Sequence, residues 1–169
     1  MQRIWALLGS AVFFVIAPGT ILGYVPWLIT HWQMRPPFFG IEVLRAAGVA
    51  LAILGLIPIV ESFVRFSWKG LGTPAPIAPP SRLVVSGFYR RVRNPIYVGL
   101  LVVLAGETLF FADTRLLWWA AGMWLLFHLA VLVHEEPTLR DQFGEEYLRF
   151  KANVPRWLPR LTPWTGAEN

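Results

Sequence analysis

The sequence predicts an all-α, polytopic membrane helix bundle, with about four transmembrane helices and a C-terminal interfacial helix in one integral membrane domain over residues 1–169. Three observations carry this expectation. Hydrophobic residues make up 56% of the chain, and the mean hydropathy is +0.52. Apolar stretches long enough to cross a bilayer recur along it. The charged residues gather between those stretches, and 15 lysines and arginines against 10 carboxylates leave a net charge of +5. Charges that flank apolar spans fit membrane orientation and contact with anionic lipid headgroups better than nucleic-acid binding. There is no cysteine, which excludes disulfides, thiolate metal sites and cysteine nucleophiles.

The first apolar run covers residues 4–30. It is too long for a signal peptide and lacks a clear small-x-small cleavage site, so it is read as a retained span. Pro18-Gly19 and Pro26 are expected to bend it, and Trp27 and Trp32 suit the far interface. A short polar loop with Pro36-Pro37 leads to a second span over residues 41–66. Gly48 and Gly55 there allow close helix approach, and Pro58 predicts a kink. Glu61 and Arg65 are four apart and are expected to pair on one face. Residues 67–93 form a long loop whose prolines and glycines exclude regular structure in its first half.

Asn94-Pro95 is expected to cap and open a third span that ends at Phe111. At about 1.5 Å per residue this helix is roughly 25 Å long, short for a crossing, so a partly helical 89–92 segment is expected to extend it. Ala112-Asp113-Thr114-Arg115 makes a tight turn. A fourth span over residues 116–133 then stops at His134-Glu135-Glu136-Pro137. From Pro137 to about Lys151, Leu139, Phe143, Tyr147 and Phe150 recur at helical spacing while Arg140, Asp141, Glu145, Glu146 and Arg149 face away. That pattern predicts an amphipathic helix on the membrane surface, followed by an extended basic tail.

Most lysines and arginines fall on one side of such a bundle, and only Arg35, Arg45 and Arg115 on the other. The imbalance predicts cytoplasmic termini in an inner membrane, with the long loop on the same side. It also brings Arg90, Arg91, Arg93 and Asn94 to the same membrane face as Glu135 and Glu136. Guanidinium groups and a helix N-terminus form an anion site, and the carboxylates beside them suit an ammonium or hydroxyls, so the pair fits a zwitterionic ligand. Metal ligation has little support: His128 and His134 point to different faces of one helix, and His31 lies across the membrane.

Gly87-Phe-Tyr89, Arg93-Asn94-Pro95-Ile-Tyr97-Val-Gly99, Glu135-Glu136, Phe143-Gly144-Glu-Glu-Tyr147 and Val154-Pro155 occur in that order. The set resembles the integral membrane methyltransferases that include isoprenylcysteine carboxyl methyltransferase and phosphatidylethanolamine N-methyltransferase. The resemblance covers residues 81–159, the expected catalytic and cofactor-binding half, and leaves the two spans of residues 1–66 without a motif. It implies methyl transfer from S-adenosylmethionine to a lipid-like or amphipathic acceptor at the cytoplasmic face. Carried over by position, it implies cofactor contacts at Ser81, Arg82, Leu83, Val84, Tyr89, Asn94, Pro95, Ile96, Tyr97 and Glu135. Arg93 and Glu136 are the candidate catalytic residues, with Glu136 the better candidate for a base because Glu135 is committed to the cofactor.

Two departures bear on the acceptor. Asn94 replaces the histidine of the carboxyl branch, and Val131 stands where that branch has an arginine thought to bind substrate. An uncharged or amine-bearing acceptor is therefore expected over a prenylated cysteine acid. The competing reading is a non-enzymatic membrane subunit or small-solute transporter that retains the scaffold, with Glu61 and Glu107 lining a path.

Overall fold

The structure, a computed structural model, describes residues 16–69 and 82–166. It is all-helical, with no strand among the described residues. Helix α1 (Ile16–Thr30) is followed by α2 (Val43–Lys69), α3 (Pro95–Phe111), α4 (Thr114–Ala130) and α5 (Glu136–Asn153). Short 3-10 turns lie at Phe38–Gly40 and Gly87–Arg90. Two stretches, Val43–Arg65 and Thr114–Asn153, are long and apolar enough to cross a membrane, and Ile16–Thr30 and Pro95–Phe111 are shorter apolar helices. Ile53, Leu54, Ile57, Val60 and Val64 of α2, and Leu117, Trp118, Leu125, Leu126 and Val133 on and just beyond α4, point outward and exposed. A soluble bundle would bury such residues; here they form the lipid-facing surface of a membrane helix bundle.

Glycines set the central contact. A methyl group added to Gly48 would stand 2.6 Å from the Gly106 carbonyl oxygen, and one on Gly55 would stand 2.7 Å from that of Gly99. The antiparallel backbones of α2 and α3 therefore touch at two points seven residues apart. Dispersion and close packing hold helices together in lipid, where no hydrophobic drive acts between them, and that requires small residues at the seam. Ile59, Phe63, Leu100, Val103, Leu104, Met123 and Phe127 make the core beside this seam. A smaller core of Tyr147, Phe150 and Val154, flanked by Leu83, Val85 and Trp164, joins α5 to the chain on either side of it.

The expected boundaries hold for α3, and α2 begins two residues later and ends three residues later than expected. Two expectations are corrected. Asn94 stands at the N-cap position, but its side chain caps nothing and instead donates to the Arg156 carbonyl oxygen at 3.2 Å. The stop expected at Glu135–Pro137 is a widened turn, Val131–Glu135, through which α4 runs on into α5; the sharp bend comes at Gly144 (φ 48°, ψ −123°). Proline explains the widening. Pro137 has no N–H and crowds the preceding turn, so the Glu136 amide reaches five residues back to the Val131 oxygen. The same arrangement precedes Pro26, where Thr20–Tyr24 is widened and the Val25 amide bonds to the Thr20 oxygen.

At the Arg35 end, the Arg45 guanidinium donates to the carbonyl oxygens of Phe110 and Arg35, both at 2.6 Å, and closes the C-terminus of α3. The buried Asp113 holds Arg35 at 3.2 Å and Arg115 at 2.7 Å. The candidate site residues gather at the other, basic end.

Candidate functional site

The chain after α5 does not trail away as a free tail. Residues 154–166 form a strap laid across residues 90–93: the Arg93 amide donates to Pro155 O at 2.9 Å, the Arg160 amide to Arg91 O at 2.9 Å, and the Trp164 amide to Arg90 O at 2.8 Å. Side chains reinforce it, with Arg90 Nε donating to Trp164 O at 2.5 Å and Arg91 to the carbonyl oxygens of Arg160 and Leu161. Trp157 donates its indole N–H to His128 Nδ1 at 3.2 Å, and Trp124 stacks on the same imidazole. The strap is thus fixed to the segment that leads into α3 and to α4.

Beneath it, Glu136 collects three cations. Its Oε1 accepts from Arg93 Nη1 at 2.9 Å and from Arg156 Nε at 2.6 Å, and its Oε2 accepts from Lys151 Nζ at 2.7 Å. Arg93 also donates to the Tyr147 hydroxyl at 3.2 Å. Glu136 and Arg93 are both about nine-tenths buried, whereas Lys151 is largely open. Burial alone would raise the Glu136 carboxyl, but hydrogen bonds from Arg156 and Lys151 and the charge of Arg93 outweigh it and hold it at about 2. Glu136, the residue expected to act as a base, is therefore a weak proton acceptor. One carboxylate against three cations leaves this cluster positive, and Arg93 Nε is buried with no hydrogen-bond partner among the described residues.

Glu135 has a different setting. The Tyr97 hydroxyl donates to its Oε1, and the Tyr97 ring stacks on Phe127 with centroids 4.4 Å apart. Burial pushes the Glu135 carboxyl up; the hydrogen bond from Tyr97 only partly opposes this. The two adjacent glutamates therefore differ in chemistry: one is locked as an anion, the other half-buried and more basic.

Gly87 places the loop. Its φ of +58° is a conformation that suits glycine, and a side chain there would run into Glu61 Oε1 and the Arg65 guanidinium. Glu61 and Arg65 pair as expected. Burial raises the Tyr89 phenol well above its ordinary value, and Ser62, Glu135 and Glu61 are the polar groups that face it.

The structure brings together Tyr89, Arg93, Asn94, Tyr97, Glu135 and Glu136 around the facing ends of α3 and α4. Pro95 is buried at the start of α3, and Ile96 packs against the main core. Leu83 packs against the α5 core, Val84 is buried, and Arg82 points to the exterior. Ser81 and the proline-rich 70–81 segment lie outside the described residues. Sequence reasoning missed Lys151, Tyr147 and Ser62. The available signal was the excess positive charge after Phe150, which Glu136 partly neutralises.

A family model for phospholipid methyltransferases matches residues 43–146, more than half of the chain. The chain belongs to the phospholipid methyltransferase family. The motif resemblance is borne out, and family membership assigns membrane methyltransferase activity to the chain. The match begins within α2, earlier than the residues that carried the resemblance, and ends before the strap. An uncharacterized protein of Haemophilus influenzae is 34% identical over 64 residues, which are 37% of this chain and 100% of that protein. No solved structure matches the chain.

Proposed function

We propose that this phospholipid methyltransferase family member transfers a methyl group from S-adenosylmethionine to a lipid-like or amphipathic acceptor at the cytoplasmic face of an inner membrane. The observation that carries the reading is the side-by-side placement of a positive cluster, Arg93 with Arg156 and Lys151 around Glu136, and a half-buried Glu135–Tyr97 pair. Positive and negative lobes at one helix junction suit a zwitterionic amino-acid cofactor. The free Nε of Arg93 supports the fit, since a buried guanidinium N–H without an acceptor is costly and a carboxylate would satisfy it. Arg93 and the start of α3 then hold the amino-acid carboxylate, and Glu135 accepts from ribose hydroxyls or an ammonium.

When bound, the sulfonium supplies an activated methyl group for in-line displacement. Positioning and exclusion of water supply most of the rate in such a transfer. Glu136 acts here by orienting Arg93 and tying it to the strap, while Glu135 is the stronger base of the two. The strap and the Trp157–His128 contact shield the site, and the acceptor arrives laterally between helices. The transporter reading needs Glu61 and Glu107 on one path. Glu61 pairs with Arg65 near Gly87, whereas Glu107 lies in a groove of about 250 Å³ lined by Gly48, Ala52, Gly106 and Phe110, toward the other end.

Binding of labelled S-adenosylmethionine to the purified full chain tests the reading directly. Saturable binding that Arg93→Gln and Glu135→Gln each weaken is expected; a wild-type chain with no measurable binding refutes it.

A further inference from the structure

Helix α2 carries two buried polar atoms for which the methyl-transfer reading has no use. Arg65 satisfies Glu61 Oε1, but Glu61 Oε2 is buried with no hydrogen-bond partner among the described residues. Ser62 is 0% exposed, and its Oγ completes no hydrogen bond with a described residue although the Tyr89 hydroxyl lies near. Residues 61 and 62 are adjacent, both lie near Tyr89, and Gly87 packs against Glu61 and Arg65. A carboxylate oxygen left without a donor inside a protein carries the full cost of its lost hydration.

The charge balance specifies what would relieve that cost. Glu61 and Glu135 both lie within electrostatic reach of Tyr89, while Arg65 is the cation paired there. Arg93 and Arg156 are drawn to Glu136. Among the described residues the local sum is one negative charge, and the unfilled positions are an acceptor on Glu61 and a hydroxyl on Ser62. A carboxylate or phosphate would be repelled. A small cation that donates several hydrogen bonds fits, and a primary ammonium has both properties.

We propose that Glu61 and Ser62 of the second span, under Tyr89, form an ammonium-binding subsite. The inference rests on the methyl-transfer reading for its source of ligands, which are two: the amino group of the cofactor, or the head of an amine-bearing amphipathic acceptor. Either way, α2 contributes to recognition and is more than a packing partner for α3.

The test is calorimetry on the full chain in lipid nanodiscs, with two ligand pairs that differ only by the amine. The cofactor pair is S-adenosylhomocysteine and its deaminated analogue; the acceptor pair is dodecylamine and N-dodecylacetamide. In one pair, wild type is expected to bind the amine at least about tenfold more tightly, as for a charge-assisted hydrogen bond. Glu61→Gln should abolish that preference and Ser62→Ala should reduce it. The pair that shows the preference identifies the source. Equal binding within both pairs, or a preference that survives intact in Glu61→Gln, overturns the subsite. Preferential binding of dodecylamine by a chain that binds no S-adenosylhomocysteine leaves the subsite standing and removes the methyl-transfer reading instead. Binding of none of the four overturns both. Ser62→Ala removes one oxygen and keeps the Glu61–Arg65 pair, so it tests the subsite even where Glu61→Gln disturbs folding.

Discussion

Replacing Glu136 by glutamine keeps the shape of the side chain and removes the charge that Arg93, Arg156 and Lys151 share. The size of the effect follows from the carboxyl's own titration. Held at about 2 against an ordinary 4.5, it is worth ~3 kcal/mol of stability near neutral pH. That agrees with the 3–5 kcal/mol or so typical of breaking a buried ion pair, reduced here because Lys151 is largely open. The sign is fixed by the lowered value. The contribution is complete above the ordinary carboxylate range and is lost as the pH falls through about 2. Thermal unfolding in detergent, followed by tryptophan fluorescence, reads it out, since Trp157 and Trp164 sit on the strap. Near neutral pH the variant should melt roughly 6–12 °C below wild type. The gap should close as the pH is lowered toward 2, because wild type then loses the same interaction. A variant that melts with wild type at neutral pH, or a gap that does not change with pH, would show that Glu136 does not hold the strap.

Four further outcomes are expected. Glu135→Gln should weaken S-adenosylmethionine binding by about ten- to a hundredfold, the worth of a charge-assisted hydrogen bond; unchanged calorimetric affinity refutes it. Gly55→Val should cost more than ~3 kcal/mol or prevent folding, since its side chain meets the Gly99 carbonyl and Val103 at under 3 Å; a normal melting temperature would show that α2 and α3 do not touch there. Single cysteines at positions 35 and 82, in a chain with none of its own, should label from outside and from inside respectively, and labelling of position 82 from outside refutes the orientation. With Val131 apolar and Arg93 and Arg156 held by Glu136, a labelled-methyl assay should favour phosphatidylethanolamine or small amphipathic amines over a farnesylated cysteine acid. Turnover that is best on the acid reverses that argument.

The glycine seam, the Glu61–Arg65 pair, the span of α3 and the Arg93 and Glu135–Glu136 neighbourhood were legible in the sequence, because each follows from a local rule: helical spacing, proline at a helix start, or the side of the membrane that charge selects. What was not legible depended on long-range pairing. Asn94 looks like a cap when read with its neighbours alone, yet the carbonyl of Arg156, 62 residues on, takes its amide. Glu136 looked like a free base because Lys151 and Arg156 lie a helix away in sequence. Ser62 looked like one more small residue in an apolar run, and nothing local showed that Tyr89 would face it. The expected stop at Pro137 failed for a different reason: a single widened turn absorbs a proline that usually ends a helix, and composition does not separate the two.

The strap also has a consequence for synthesis. Arg93 waits for Pro155, 62 residues later in the chain. At translation speeds of roughly 5–20 residues per second, that interval is ~3–12 s. Until then Arg90, Arg91 and Arg93 stand at the basic end of a half-inserted chain without their carbonyl partners, and Glu136 itself follows only 43 residues after Arg93. Anionic lipid headgroups are the expected ligands in that interval, holding the nascent loop at the surface until the strap displaces them. Membranes poor in anionic lipid should therefore delay docking of the strap, and with it the completion of the site, without altering the finished protein.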